Sequence, residues 1–136
     1  MSEKTLCLDF DGVIHSYTSG WKGPAEIPDP PVPGALQFII EALSVFDIHI
    51  LSSRSAYKVG VPAMQQWLIE AFKATGHSQH FAEDIALTRI KWPTTKPPAH
   101  VTIDDRALTF TGEWPSIDYL LNFKPWNKQK KENNEK

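Results

Sequence analysis

The sequence predicts an α/β fold, a Rossmann-like domain of three layers whose parallel sheet has about five strands. Short apolar segments alternate with segments of helical periodicity, which is typical of strands joined by right-handed helical crossovers. The chain has 136 residues, the size of one domain. Acidic and hydroxyl residues directly follow several predicted strands, and such sheets bind ligands at the carboxyl ends of their strands.

The first half of the chain contains two predicted strands and one helix. Residues 4–9 form the first strand, and residues 46–51 form the second. Between them the segment 15–33 is rich in proline and glycine, which argues against a helix, so we interpret this segment as a flap. A helix over 33–45 follows, because its apolar residues recur with helical spacing.

The second half repeats the alternation. The apolar spacing predicts a helix over 61–74, and a short apolar run predicts a third strand over 85–88. We expect further strands at 100–103 and 108–111, and a last helix over 115–122. These elements complete a sheet of about five strands.

Composition limits the function classes. Hydrophobic residues make up 41% of the chain and the net charge is -2, so no overall basic field attracts nucleic acid or a membrane surface. No apolar stretch is long enough to span a bilayer, and the first residues have no signal-peptide pattern, so we expect a cytoplasmic protein. Residues 1–123 form the predicted domain, and the polar segment 124–136 is predicted to be a frayed tail.

Four carboxylates and one hydroxyl lie at carboxyl ends of predicted strands. Asp9 and Asp11 follow the first strand, Ser52 follows the second, and Asp104 and Asp105 follow the strand at 100–103. Four carboxylates at one sheet edge repel each other unless a cation lies among them, and Mg²⁺ is bound by carboxylates, phosphate and water. A carboxylate can also attack phosphorus to give an aspartyl-phosphate. The sequence therefore favours magnesium-dependent phosphoryl transfer.

These motifs resemble those of the haloacid dehalogenase superfamily over about residues 4–122. The segment Leu8-Asp9-Phe10-Asp11-Gly12-Val13 resembles the first motif, Ser52 the second and Asp104-Asp105 the fourth. The family's lysine is expected between the second and fourth motifs, where Lys96 is our choice and Lys91 is the rival.

The resemblance implies a role for each of these residues. Asp9 would be the nucleophile and a metal ligand, and Asp11 would be the general acid and base that also offers its backbone carbonyl to the metal. Asp104 would bind Mg²⁺, with Asp105 as a ligand or just behind it. Ser52 and Lys96 would contact the phosphate. Arg54 is a further candidate for phosphate contact because it flanks the same edge and not because of the resemblance, and a surface position is the default expectation for an arginine. Ser52 could instead cap the next segment, and Lys96 and Arg54 could instead be solvated surface residues.

The chain resembles small phosphatase-like members without a substantial cap domain, such as those in phage and prophage genomes and the phosphatase half of polynucleotide kinases. The predicted function is hydrolysis of phosphomonoesters, with a nucleotide or nucleic-acid end as one substrate class. Trp21 in the flap is the candidate for stacking on a base. The alternative function is a non-catalytic module that binds metal or phosphate. Family members without a cap act on large substrates or take a lid from a partner subunit, so oligomerisation is possible, but no feature of this sequence indicates it.

Overall fold

Three apolar segments form the parallel sheet. The computed structural model describes residues 4–128, and its strands are β1 (Thr5–Leu8), β2 (Asp47–Ile50) and β3 (Val101–Ile103). The helices are α1 (Ala35–Leu43), α2 (Gly60–Ala74), α3 (Gln79–Glu83) and α4 (Ile117–Leu121), with a 3₁₀ turn at Ser53–Ala56 and a π-helical segment at Asp84–Arg89. Within residues 4–128, no helix is both long enough and apolar enough to cross a membrane.

The register of the sheet aligns the carboxyl ends of its strands. The strand order is β2-β1-β3, with Leu8 opposite both Ile50 and Ile103. The alignment continues past the strands, because the backbone N–H of Asp9 donates to the carbonyl of Ile103 at 3.0 Å. The residues that follow β1 and β3 therefore meet at one edge, as expected for a parallel sheet.

The predicted α/β class is confirmed, but the prediction of about five strands is wrong for residues 4–128. The predicted strand at 85–88 lies inside the π-helical segment, where Ile85 and Ala86 are buried. A short apolar run fits a buried helix as well as a buried strand, so periodicity did not distinguish them. The predicted strand at 108–111 pairs with no strand in this part of the chain. Lys91 adds one isolated bridge beside β2, opposite His49.

One apolar core holds the elements together. The two long helices lie where helical spacing predicted them, and each buries an apolar face: Leu36 and Ile39 of α1, and Met64, Leu68 and Phe72 of α2. They pack in one cluster with the side chains of β1 and β2. Each such side chain contributes about 1.5–3 kcal/mol on full burial.

The flap and the predicted tail both approach the loop after β1. The flap contains no helix and no strand beyond isolated bridges, as predicted, and Ser19 in it donates to the carboxylate of Asp29 from both its N–H and its Oγ.

Residues 124–128 begin the segment that was predicted to be a frayed tail. In the structure, however, Pro125 is buried and Trp126 Nε1 donates to the carbonyl of Gly12 at 2.9 Å. The rest of that predicted tail lies outside the described residues.

Candidate functional site

Three carboxylates converge at the carboxyl ends of β1 and β3. Asp9 follows β1, while Asp104 and Asp105 follow β3. One carboxylate oxygen from each lies within 4.8 Å of the others. This convergence results from the direct pairing of β1 with β3, which places Leu8 opposite Ile103 just before the acidic residues.

The electrostatics of this acidic cluster favour a bound cation. Burial and the charge of Asp104 raise the pKa of Asp9 to about 8, and a hydrogen bond with the Asp105 side chain adds to the rise. Burial also raises the pKa of Asp105. Ionised carboxylates this close together repel each other, which is one cause of the raised pKa values. A divalent cation between the carboxylates would remove this repulsion. Three oxygen ligands from carboxylates fit Mg²⁺ in charge and donor type.

The loop after β1 lies directly against Asp105 because residue 12 is glycine. Gly12 has a φ of +85°, in the left-handed region, and a Cβ built on it would overlap the Asp105 carboxylate. The chain can therefore turn sharply and approach closely only with glycine at this position. Trp126 also contacts this loop, through its hydrogen bond to the Gly12 carbonyl.

A cavity of about 240 Å³ opens beside the acidic cluster. Its lining residues come from β1, β3, the segments that directly follow the three strands, and the segment that precedes β3: Cys7, Asp9, Leu51, Lys96, Thr102, Asp104 and Ala107. Lys96 thus lies on the cavity that also contains Asp9. Lys91, the rival lysine, pairs with Asp47 at 3.2 Å, at the amino end of β2. The geometry therefore brings Lys96 to the acidic cluster, at the carboxyl ends of the strands, and places Lys91 at the amino end of β2.

The side chain of Asp11 lies outside the acidic cluster. Its Oδ1 accepts a hydrogen bond from His15 Nδ1 at 2.8 Å. Arg54 Nε lies 3.2 Å from Asp11 Oδ1 and 3.0 Å from Oδ2. The family resemblance implied a metal contact through the backbone carbonyl of Asp11, and that contact stays a prediction.

Arg54 is fully buried, contrary to the default expectation of a surface arginine. Its Nη1 donates to the flap carbonyls of Gly23 at 2.8 Å and Pro24 at 3.0 Å. Its guanidinium lies 5.0 Å from the ring centre of Trp21. A buried arginine needs such partners, since an unpaired buried charge is costly. Arg54 therefore ties Asp11 to the flap.

His15 was not predicted as a site residue, although its side chain is fully buried beside Asp11. Its Nε2 accepts a hydrogen bond from the backbone N–H of Asp29 at 3.0 Å, so the ring proton is on Nδ1, which donates to Asp11. The ring packs on Phe10 and Trp67. The sequence signal was a histidine four residues after Asp11, at the start of the flap.

Ser52 caps the 3₁₀ turn that presents Arg54. Its Oγ accepts from the backbone N–H of Arg54 at 3.1 Å, and its own N–H donates to Ser55 Oγ at 3.1 Å. The capping role raised as the alternative for Ser52 is therefore present. Because Oγ is the acceptor in this contact, the contact does not use the hydroxyl hydrogen, and the predicted phosphate role stays open.

Comparison with models of protein families, with curated proteins and with solved structures finds no match to this chain.

Proposed function

We propose that the protein is a magnesium-dependent phosphomonoester hydrolase with a haloacid-dehalogenase-like, Rossmann-like domain and no cap. The observation that carries the proposal is the convergence of Asp9, Asp104 and Asp105 beside a cavity that also contains Lys96. Phosphoryl transfer needs a nucleophile, ligands that hold a metal ion, and a positively charged side chain that binds phosphate.

Asp9, Asp104 and Asp105 would hold Mg²⁺. When bound, Mg²⁺ would neutralise charge on the phosphoryl oxygens and favour the ionised form of Asp9. Lys96 would bind the same oxygens from the cavity wall.

Asp9 acts first as the nucleophile. One oxygen of its carboxylate attacks phosphorus, the ester P–O bond breaks, and the leaving oxygen takes a proton from the Asp11 carboxyl group. In the second step a water oxygen attacks the same phosphorus and passes its proton to the Asp11 carboxylate. The P–O bond to Asp9 then breaks, which releases inorganic phosphate and regenerates the carboxylate. Arg54 and His15 orient Asp11 through their hydrogen bonds to it.

A non-catalytic module that binds metal or phosphate is the second candidate. The observation that favours it is the pairing of Asp11 with both Arg54 and His15, away from the acidic cluster. For catalysis, Asp11 must reach the leaving group, whereas a binding module needs only the acidic cluster and Lys96.

Hydrolysis of p-nitrophenyl phosphate, with Mg²⁺ or with EDTA, separates the two candidates. We expect turnover that needs Mg²⁺ and that Asp9→Asn lowers by roughly 10³-fold or more, since an amide cannot attack phosphorus. Asp47→Asn is the matched control, because Asp47 is the first residue of β2 and therefore lies at the end of that strand away from the acidic cluster. Magnesium binding without turnover would favour the binding module, and turnover retained in Asp9→Asn would exclude Asp9 as the nucleophile.

Two half-exposed aromatic rings suggest the substrate class. Trp21 in the flap and Tyr57 after the 3₁₀ turn have ring centres 6.2 Å apart, and each is about half exposed. Trp21 also lies over Arg54, which contacts Asp11. A base stacked on such a ring gains roughly 1–3 kcal/mol. We therefore propose a nucleotide or nucleic-acid end as the substrate.

Trp21→Ala tests this substrate class. We expect kcat/KM to fall by about 5- to 150-fold for a nucleoside monophosphate, from the stacking energy, and to stay nearly unchanged for a small aliphatic phosphate. Tyr57→Ala should follow the same pattern with a smaller loss. Equal losses on both substrates would mean that Trp21 only shapes the flap.

A further inference from the structure

The segment that follows the acidic cluster presents a large apolar surface to solvent. Seven large apolar side chains in this segment are each at least 45% exposed, and Trp114 reaches 85%. We name them the 108–121 surface: Leu108, Phe110, Trp114, Ile117, Tyr119, Leu120 and Leu121. Helix α4 has no buried residue, although an isolated helix of five residues is unstable in water.

The 108–121 surface has the size of a protein interface. A fully exposed aromatic side chain presents roughly 150–250 Å². When areas of this size are scaled by the exposed fractions of the seven side chains, the 108–121 surface presents on the order of 900 Å². The largest apolar patch on a typical monomer is about 300–600 Å². A stable protein–protein interface buries about 800 Å² on each partner. Five of the seven side chains line one common cavity, so much of this area is contiguous and is comparable with one side of an interface.

The charges of this segment narrow the choice of partner. From residue 107 to residue 123 the chain has no lysine and no arginine, and its charged residues are Glu113 and Asp118. Nucleic acid and anionic lipid surfaces both require cationic side chains, which this segment lacks. An apolar surface with few charges is complementary to itself, and a net charge of -2 gives little repulsion between two copies.

The edge of the sheet supplies a second, independent observation. Strand β3 forms one edge and pairs with β1 alone in the part of the chain that the structure describes. Val101 and Ile103 of β3 are 47% and 40% exposed. An open edge strand with exposed apolar side chains favours pairing with another strand, and a two-fold axis can pair it with its own copy.

We propose that a second copy of this chain covers the 108–121 surface, in a two-fold symmetric dimer to which the β3 edges contribute. The two copies bury the same residues, because a two-fold interface uses the same surface on each subunit. The dimer does not depend on the acidic cluster or on the proposed hydrolase activity. Burial against the second copy supplies the packing that α4 lacks within one chain.

Analytical ultracentrifugation of the full chain tests the proposal. We expect twice the chain mass of 15.4 kDa, with Leu121→Glu raising the dissociation constant by at least about 30-fold, because a charge then replaces an apolar contact on both copies. Leu87→Glu is the matched control, because Leu87 is also half exposed but lies in the π-helical segment, and it should leave the dimer intact. Trp114→Ser is the second variant, and the melting temperature of each variant checks its fold.

A wild type that stays monomeric at about 100 µM would overturn the proposal, as would binding of the monomer to lipid vesicles in place of self-association. Equal dissociation by folded Leu121→Glu and folded Leu87→Glu would also overturn it, because the 108–121 surface would then have no special role. Loss of hydrolase activity in Asp9→Asn leaves the mass unchanged, so the dimer and the proposed activity fail separately.

Discussion

Magnesium binding to the acidic cluster is expected to release a proton from Asp9. Burial and the charge of Asp104 raise the pKa of Asp9 to about 8, so about nine in ten metal-free molecules carry this proton at pH 7. A metal ligand must be deprotonated, so each binding event at pH 7 should release about 0.9 proton. At pH 9 the carboxyl is already ionised in about nine molecules in ten, and the release should fall to about 0.1.

The same equilibrium determines how magnesium affinity depends on pH. Because the proton competes with Mg²⁺, the apparent dissociation constant should fall by about tenfold from pH 7 to pH 9. Isothermal titration calorimetry in buffers of different ionisation enthalpy measures both the affinity and the number of protons released. Asp104→Asn should lower both the affinity and the release at pH 7, since it removes a ligand and the charge that raises the pKa of Asp9.

Asp118→Asn is the control, because Asp118 lies in α4 and outside the acidic cluster, and it should change neither quantity. Magnesium that binds equally well at pH 7 and pH 9, with no proton released at pH 7, would refute the reasoning. The elevated pKa would then not belong to a metal ligand.

The elevated pKa also predicts the direction of the pH dependence of stability. The folded-state pKa of Asp9 lies above its ordinary value of 3.8, so the folded state binds more protons than the unfolded state between about pH 4 and pH 8. The contribution of Asp9 to the free energy of unfolding therefore falls as pH rises through this window. Magnesium should raise the melting temperature more at pH 8 than at pH 5, as scanning fluorimetry can measure.

Three further substitutions test the loop after β1. Gly12→Ala should lower the melting temperature by about 4–10 °C, and by less in the Asp105→Ala background, where the overlap with the added Cβ is removed. Trp126→Phe should cost about 1 kcal/mol in unfolding experiments with urea, since it removes the donor to the Gly12 carbonyl. His15→Phe keeps the ring packing but removes the donor to Asp11, so kcat should fall by about tenfold, and an unchanged kcat would mean that His15 does not orient Asp11.

The acidic cluster could be predicted from the sequence because it depends on local signals. Apolar runs define β1 and β3, and acidic residues follow each run. In a parallel sheet the carboxyl ends of neighbouring strands meet at one edge, so Asp9, Asp104 and Asp105 converge without any knowledge of the loops. The number of strands could not be predicted, because the apolar run in the π-helical segment satisfies both periodicities.

The surroundings of Asp11 could not be predicted, because they depend on the path of the flap. Arg54 is buried only because Gly23 and Pro24 offer it carbonyls and Asp11 offers a carboxylate. His15 is buried through contacts with the same flap. Proline-rich loops have no periodicity from which their course can be predicted. The expectation that Arg54 lies at the surface therefore rested only on the usual exposure of arginine in proteins.

The hydrogen bond from Trp126 to Gly12 has a consequence for how the protein is made. The two residues are 114 positions apart, so at the usual rates of translation Gly12 is synthesised about 6–23 s before its partner. During that interval the turn around Gly12 lacks the indole that contacts it, and for most of it Asp9 also lacks the carboxylates that follow β3. A released chain truncated before residue 126 should therefore fold its core without completing the loop after β1.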